Sequence, residues 1–162
     1  MIMALHRLLV DDFEDENYSL LAIHCNIEDY RIAYLLNQFL NINLKRFPSD
    51  LDFEYVSASY SIFEWEDYEK QIIWNLISNI CRKEEDSLIS SGSLFDTSSK
   101  IIKNYNLIPE YKNVNYFLKI EDDNRSVKLK NTISYIQKIP QVITVYEVDV
   151  TNLKSKNNLI FN

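Results

Sequence analysis

Residues 114–148, VNYFLKIEDDNRSVKLKNTISYIQKIPQVITVYEV, decide the fold. Val114 to Ile120 is rich in aromatic and aliphatic residues, and a bounded run of this kind reads as a strand. From Val127 the period changes. Val127, Leu129, Ile133, Ile136 and Ile139 mostly share one helical face, and Pro140 stops the helix. Val142 to Val148 then resumes the strand pattern. A β-α-β unit of this length requires a right-handed crossover if its strands are parallel.

Working outward, the same alternation of periods recurs near the start of the chain. Tyr18 to Cys25 is an apolar, bounded run and predicts a buried strand. Asn26 offers a side-chain oxygen at a helix start, with Glu28 and Asp29 in the first turn. Ile32, Leu35, Leu36, Phe39 and Leu40 recur at spacings of three and four, which predicts an amphipathic helix over 27–40. Ile42, Leu44 and Phe47 suggest a short strand before Pro48, and Tyr55 to Trp65 another. Glu66 to Glu69 is polar enough to turn the chain. Gln71 to Cys81 reads as the returning strand, although Ile72, Ile73, Leu76, Ile77 and Ile80 also fit a helical period.

The expected fold is therefore α+β, in the order β-α-β-β-β-loop-β-α-β. A mainly antiparallel sheet of about six strands carries two helices on one face. Residues 1–17 read as an acidic arm and 18–162 as one domain, with 82–106 a long loop or excursion. Of the 162 residues, 46% are apolar, which is material enough for a core.

Composition excludes several function classes. The chain has one glycine, Gly92, so neither a dinucleotide-binding fingerprint, nor a phosphate-binding P-loop, nor a G-x-S-x-G elbow can be written. Two cysteines, Cys25 and Cys81, lie in apolar runs and suit a reducing compartment. No apolar run reaches the ~18 residues of a membrane span. Cytoplasmic residence follows as the expectation. Residues 1–80 carry 14 acidic against 5 basic side chains, a net of −9, and residues 81–162 carry 10 against 12, a net of +2. An acidic chain gains little from counterion release on nucleic acid. One basic set in the C-terminal half, Lys119, Arg125, Lys128, Lys130 and Lys138, keeps an RNA-associated reading open.

Ile108-Pro109-Glu110, then Val114-Asn115-Tyr116-Phe117-Leu118-Lys119-Ile120, resemble the motif that gives the bacterial IPExxVDY family its name. Supporting similarity lies in Ala22-Ile23-His24, in Glu28-Asp29-Tyr30-Arg31, in Trp74 to Asn79 and in Leu153 to Phe161. Two positions depart from the name: Asn115 stands for its aspartate, and three residues separate Glu110 from Val114 instead of two. The resemblance implies no established activity, cofactor or catalytic residue.

Candidate binding residues are Glu110, Tyr111, Tyr116 and Lys119, around the start of the strand that follows Pro109. They carry a carboxylate, two phenols and an ammonium close together in sequence. The same segment also reads as a turn that sets strand register. His24 and Cys25 are adjacent in a strand, so they face opposite ways and make neither a metal pair nor a nucleophile–base pair. Glu64 and Glu66 share a strand face and read as a solvated edge. With 11 tyrosines, some rings are expected on the sheet face that the helices leave bare, or in the core. The leading expectation is a non-enzymatic protein-interaction module with no cofactor or metal. The alternative is a small enzyme or ligand-binding protein with a pocket near Glu110 and Tyr116.

Overall fold

The computed structural model describes residues 17–53, 58–86 and 100–161. Apart from Asn17, the acidic arm lies outside them, as do residues 87–99. In chain order the elements are β1 (Tyr18–Cys25), α1 (Asp29–Leu40), β2 (Lys45–Arg46), β3 (Leu51–Phe53), β4 (Ala58–Tyr60), β5 (Ile62–Asp67), β6 (Ile72–Ser78), β7 (Ile80–Asp86), β8 (Lys100–Asn106), β9 (Tyr116–Asp122), α2 (Leu129–Gln137) and β10 (Val142–Val148). Short 3-10 turns at Pro109–Tyr111, Val150–Asn152 and Lys156–Leu159 complete the described chain.

Six strands form the main sheet in the order β10-β1-β9-β6-β5-β2, and every neighbouring pair is antiparallel. β9 and β10 both run antiparallel to β1, which lies between them, so they are parallel to each other. The β-α-β unit spans a central strand, and α2 is its connection. Both helices pack on one face. Ile32, Ala33 and Leu36 of α1, and Ile136 with the following Ile139, join Leu21, Ile23, Leu76, Leu118 and Ile120 in one core. The fold is α+β, as the sequence patterning predicts.

The face opposite the helices is not bare. Leu20, Ala22, Ile77 and Phe117 point there and are fully buried in a second core. Its cover is the β3–β4 hairpin, residues 107–114, and Leu153 and Leu159 of the C-terminal segment. The physical reason is visible in β1. Four consecutive residues, Leu20 to Ile23, are apolar and buried, so both faces of the strand need a roof. Tyr60 lies in this second core, and Tyr18, Tyr105 and Tyr111 pack against it.

Local differences from the sequence expectation have physical causes. α1 starts from Glu28 without a side-chain cap, so Asn26 does not serve as one. Its C-terminal end is closed by Asn41 in the left-handed region (φ 53°), whose N–H donates to the Asn37 carbonyl. The strand expected over 42–47 is only Lys45–Arg46, because the Asn37 side chain takes both the N–H and the carbonyl of Leu44. Residues 82–86 and 100–106, expected within a long loop, pair as most of the β7–β8 ribbon, which starts at Ile80 inside the strand expected over 71–81.

Candidate functional site

Pro109 opens the 3-10 turn Pro109–Tyr111, where its fixed φ and missing N–H are at home. Glu110 projects from this turn and accepts from both the backbone N–H (2.9 Å) and the hydroxyl (2.5 Å) of Ser155. Partial burial pushes its carboxyl upward, but the Ser155 hydrogen bonds outweigh that and hold it below the usual glutamate range. Glu110 is therefore a clasp on the C-terminal segment. Tyr111 packs edge-on against Phe117, ring centroids 6.3 Å apart, at the margin of the second core.

Behind the turn stands Asn79, fully buried between β6 and β7. Its amide nitrogen donates to the carbonyls of Tyr111 (2.9 Å) and Val114 (2.8 Å), and its side-chain oxygen accepts from the Ile108 N–H (2.8 Å). Asn115 performs a similar service for the neighbouring strand: its Oδ1 accepts from the Cys25 N–H at 3.0 Å, where the β1–β10 register shifts. The amide of one asparagine and the carbonyl of the other thus satisfy backbone groups that the sheet leaves over.

Tyr116 and Lys119 are three apart in β9 and so occupy opposite faces. Tyr116 lies in the helix-side core, and its hydroxyl donates to the Ile27 carbonyl at 2.7 Å. Burial, followed by the proximity of Cys25, drives its hydroxyl well above the ordinary tyrosine range. Lys119 is buried on the other side. Its ammonium donates to the Leu159 carbonyl (2.7 Å), pairs with Glu121 (2.8 Å) and lies 4.8 and 4.7 Å from the ring centroids of Tyr18 and Phe161. The structure does not bring Glu110, Tyr111, Tyr116 and Lys119 together around a pocket; each fastens a different part of the fold. Lys119 is also separated from Arg125, Lys128, Lys130 and Lys138, which are exposed.

Other chemistry-bearing residues are likewise dispersed. Cys25 sits in the helix-side core, its thiol raised by burial, while His24 faces away and bonds the Tyr146 hydroxyl at 3.1 Å. Glu64, half-buried, accepts from the buried Asn75 amide (2.9 Å), and Glu66 two residues on is exposed. Among the described residues no group of histidine, cysteine or carboxylate side chains could hold a metal ion.

What remains unsatisfied by the fold is the β7–β8 ribbon. Its seven residue pairs run in regular register from Ile80↔Asn106 to Asp86↔Lys100. Among the described residues, the base is what packs on the rest of the fold, through Cys81 and Tyr105 against the second core. Farther out, the register places Lys83, Glu85, Ile101 and Lys103 on one face, and Arg82, Glu84, Asp86, Lys100 and Ile102 on the other. Glu85 pairs with Lys103 (2.8 Å) and accepts from the Tyr105 hydroxyl (2.6 Å), and these bonds, the Lys103 one foremost, hold its carboxyl below the usual range. Lys100 reaches Glu84 at 3.6 Å. These pairs frame two exposed isoleucines: Ile101 is 46% and Ile102 65% accessible, on opposite faces. Among the described residues no strand pairs with the outer edge of β8.

Sequence reading missed this element, because charged β7 and the Ser-rich stretch after it resemble a solvated loop. The signal it passed over is Ile101-Ile102 between Lys100 and Lys103, a pair of strand-forming residues. No family model matches the chain, and neither does any curated protein or solved structure.

Proposed function

We propose that this protein is a non-enzymatic interaction module whose β8 edge receives an extended segment of a partner protein as a third strand. The observation that carries this reading is the ribbon itself: regular, packed among the described residues at its base, and with Ile101 and Ile102 exposed on its two faces. A two-stranded ribbon is marginal in water, and a third strand supplies both backbone hydrogen bonds and apolar cover. β8 contains no proline and its ladder no bulge, two devices that discourage such pairing.

Cytoplasmic residence belongs to the same reading, supported by two free cysteines. Among the described residues, no helix is long and apolar enough to cross a membrane. We also read Ile108-Pro109-Glu110 with Asn115 as this chain's version of the IPExxVDY motif, serving architecture through Asn79, Ser155 and Cys25 and not catalysis.

The test is quantitative affinity purification from the native cell at endogenous levels, wild type beside the Ile101→Ser/Ile102→Ser double variant. A partner enriched with wild type and lost with the double variant, at unchanged melting temperature, is the expected result. A synthetic segment of that partner must then protect β8 amides from hydrogen exchange. Equal recovery with both proteins, or repeated recovery of the protein alone, contradicts the proposal.

A further inference from the structure

We propose that the cavity over Glu64 and Asn75, on the sheet face opposite the helices, binds a small primary ammonium carried on an apolar body. The cavity measures about 320 Å³, at the lower end of the range for small-molecule sites. Its floor is made by two rows of the main sheet. Glu64 of β5 stands beside Asn75 of β6, and in the next row Glu66, Ile73 and Glu121 stand side by side. Phe47 and Leu51 on one side and Phe161 of the C-terminal segment give it apolar walls.

Two independent observations define the ligand. The first is charge. Of the four carboxylates that line the cavity, Asp50 is met by Arg46 and Glu121 by Lys119. Among the described residues Glu64 and Glu66 have no basic partner at ion-pair distance, so the cavity keeps a negative charge that the fold does not offset. The second is Asn75, which is 2% accessible and donates from Nδ2 to Glu64 at 2.9 Å. A carboxylate only accepts, which fixes the amide nitrogen towards Glu64 and turns Oδ1 away from it. That oxygen accepts from no group among the described residues. It is not sealed in either, because among those residues the Trp74 Nε1 is the one fully buried side-chain polar atom without a partner. Oδ1 therefore keeps accessible surface, and the space that Asn75 lines is this cavity. An acceptor so placed calls for a donor. An ammonium answers both observations: one N–H donates to Oδ1, the charge faces Glu64 and Glu66, and the apolar remainder covers Ile73 and the rings of the walls.

The experiment titrates the full-length protein, labelled with nitrogen-15, with phenethylammonium, 2-phenylethanol and phenethyltrimethylammonium. The first probe has both charge and N–H donors, the second a donor without charge, and the third charge without a donor. Phenethylammonium is expected to move the Asn75 side-chain amide cross-peaks saturably. It is expected to bind about tenfold more tightly than either analogue, the gap expected for one charge-assisted hydrogen bond. Glu64→Gln, which keeps an acceptor for Asn75, is expected to lower phenethylammonium affinity to that of 2-phenylethanol. Ser49→Lys places a cation at the exposed rim, where the fold does not depend on the serine, and is expected to weaken phenethylammonium binding about tenfold at unchanged melting temperature. Unmoved Asn75 cross-peaks, equal affinity for phenethylammonium and either analogue, or undiminished binding to either variant overturns the proposal.

Discussion

The side-chain amide of Asn79 donates to the backbone carbonyl of Val114 at 2.8 Å, across 35 residues of sequence. The same side chain also holds Tyr111 and Ile108, so one buried asparagine fixes the turn that introduces β9. Asn79→Ala leaves one N–H and two carbonyls without their partner. The expected loss is about 2–4 kcal/mol of unfolding free energy, read from urea denaturation. Asn79→Asp keeps the acceptor but places a carboxylate against two carbonyls, and is expected to be worse at neutral pH and to recover partly on acidification.

Glu110 makes the C-terminal segment sensitive to acid. Its carboxyl is lowered in the folded state, so its stabilisation is present above the unfolded value and lost as pH falls through the folded one. Amide protection in residues 150–161, corrected for the intrinsic exchange rate at each pH, is therefore expected to fall as the pH drops below the ordinary glutamate range, before the main sheet opens. Glu110→Gln should raise exchange there at neutral pH and flatten the acid dependence. An unaltered pH profile in the variant would disprove the clasp.

Lys119 ties β9 to the end of the chain through the Leu159 carbonyl and the rings of Tyr18 and Phe161. Lys119→Ala removes the donor and the packed aliphatic stem together. We expect a destabilisation of about 2–4 kcal/mol in chemical denaturation. Lys119→Met retains the stem and should recover part of it, while leaving the Leu159 carbonyl unpaired.

The scarcity of glycine has a cost at the turns. Gln71 closes the β5–β6 hairpin at φ 56°, a region that penalises any side chain. Gln71→Gly is expected to stabilise the protein by about 0.5–1 kcal/mol, the relief of strain exceeding the added chain entropy. Calorimetry reads this as a rise in melting temperature, and a fall would show that Gln71 has a role beyond the turn.

Elements with strong periodicity were legible from sequence. Tyr18–Cys25 and Val142–Val148 are strands at their expected bounds, and both helices lie within two residues of theirs at each end. The segment expected as one strand over 71–81, ambiguous by period, divides: Ile72–Ser78 is strand because Trp65↔Trp74 and Leu76↔Leu118 pair it on both sides, and Ile80 and Cys81 open the separate β7–β8 ribbon. The second core was not legible. Its cover consists of short segments such as Val150–Asn152 and Lys156–Leu159, whose structure depends on long-range contacts. For the same reason Glu110, Tyr116 and Lys119 drew notice as a group. Nearness along β9 does not show that alternate residues serve different layers.

The β8 edge is tested most directly by placing a photo-activatable phenylalanine analogue at Ile102, with the same analogue at Tyr68 in the β5–β6 turn as control. Irradiation in the native cell should give one discrete adduct from position 102, on an extended segment of another protein, and none from position 68. The same diffuse labelling from both positions, or no adduct at position 102, would contradict the account.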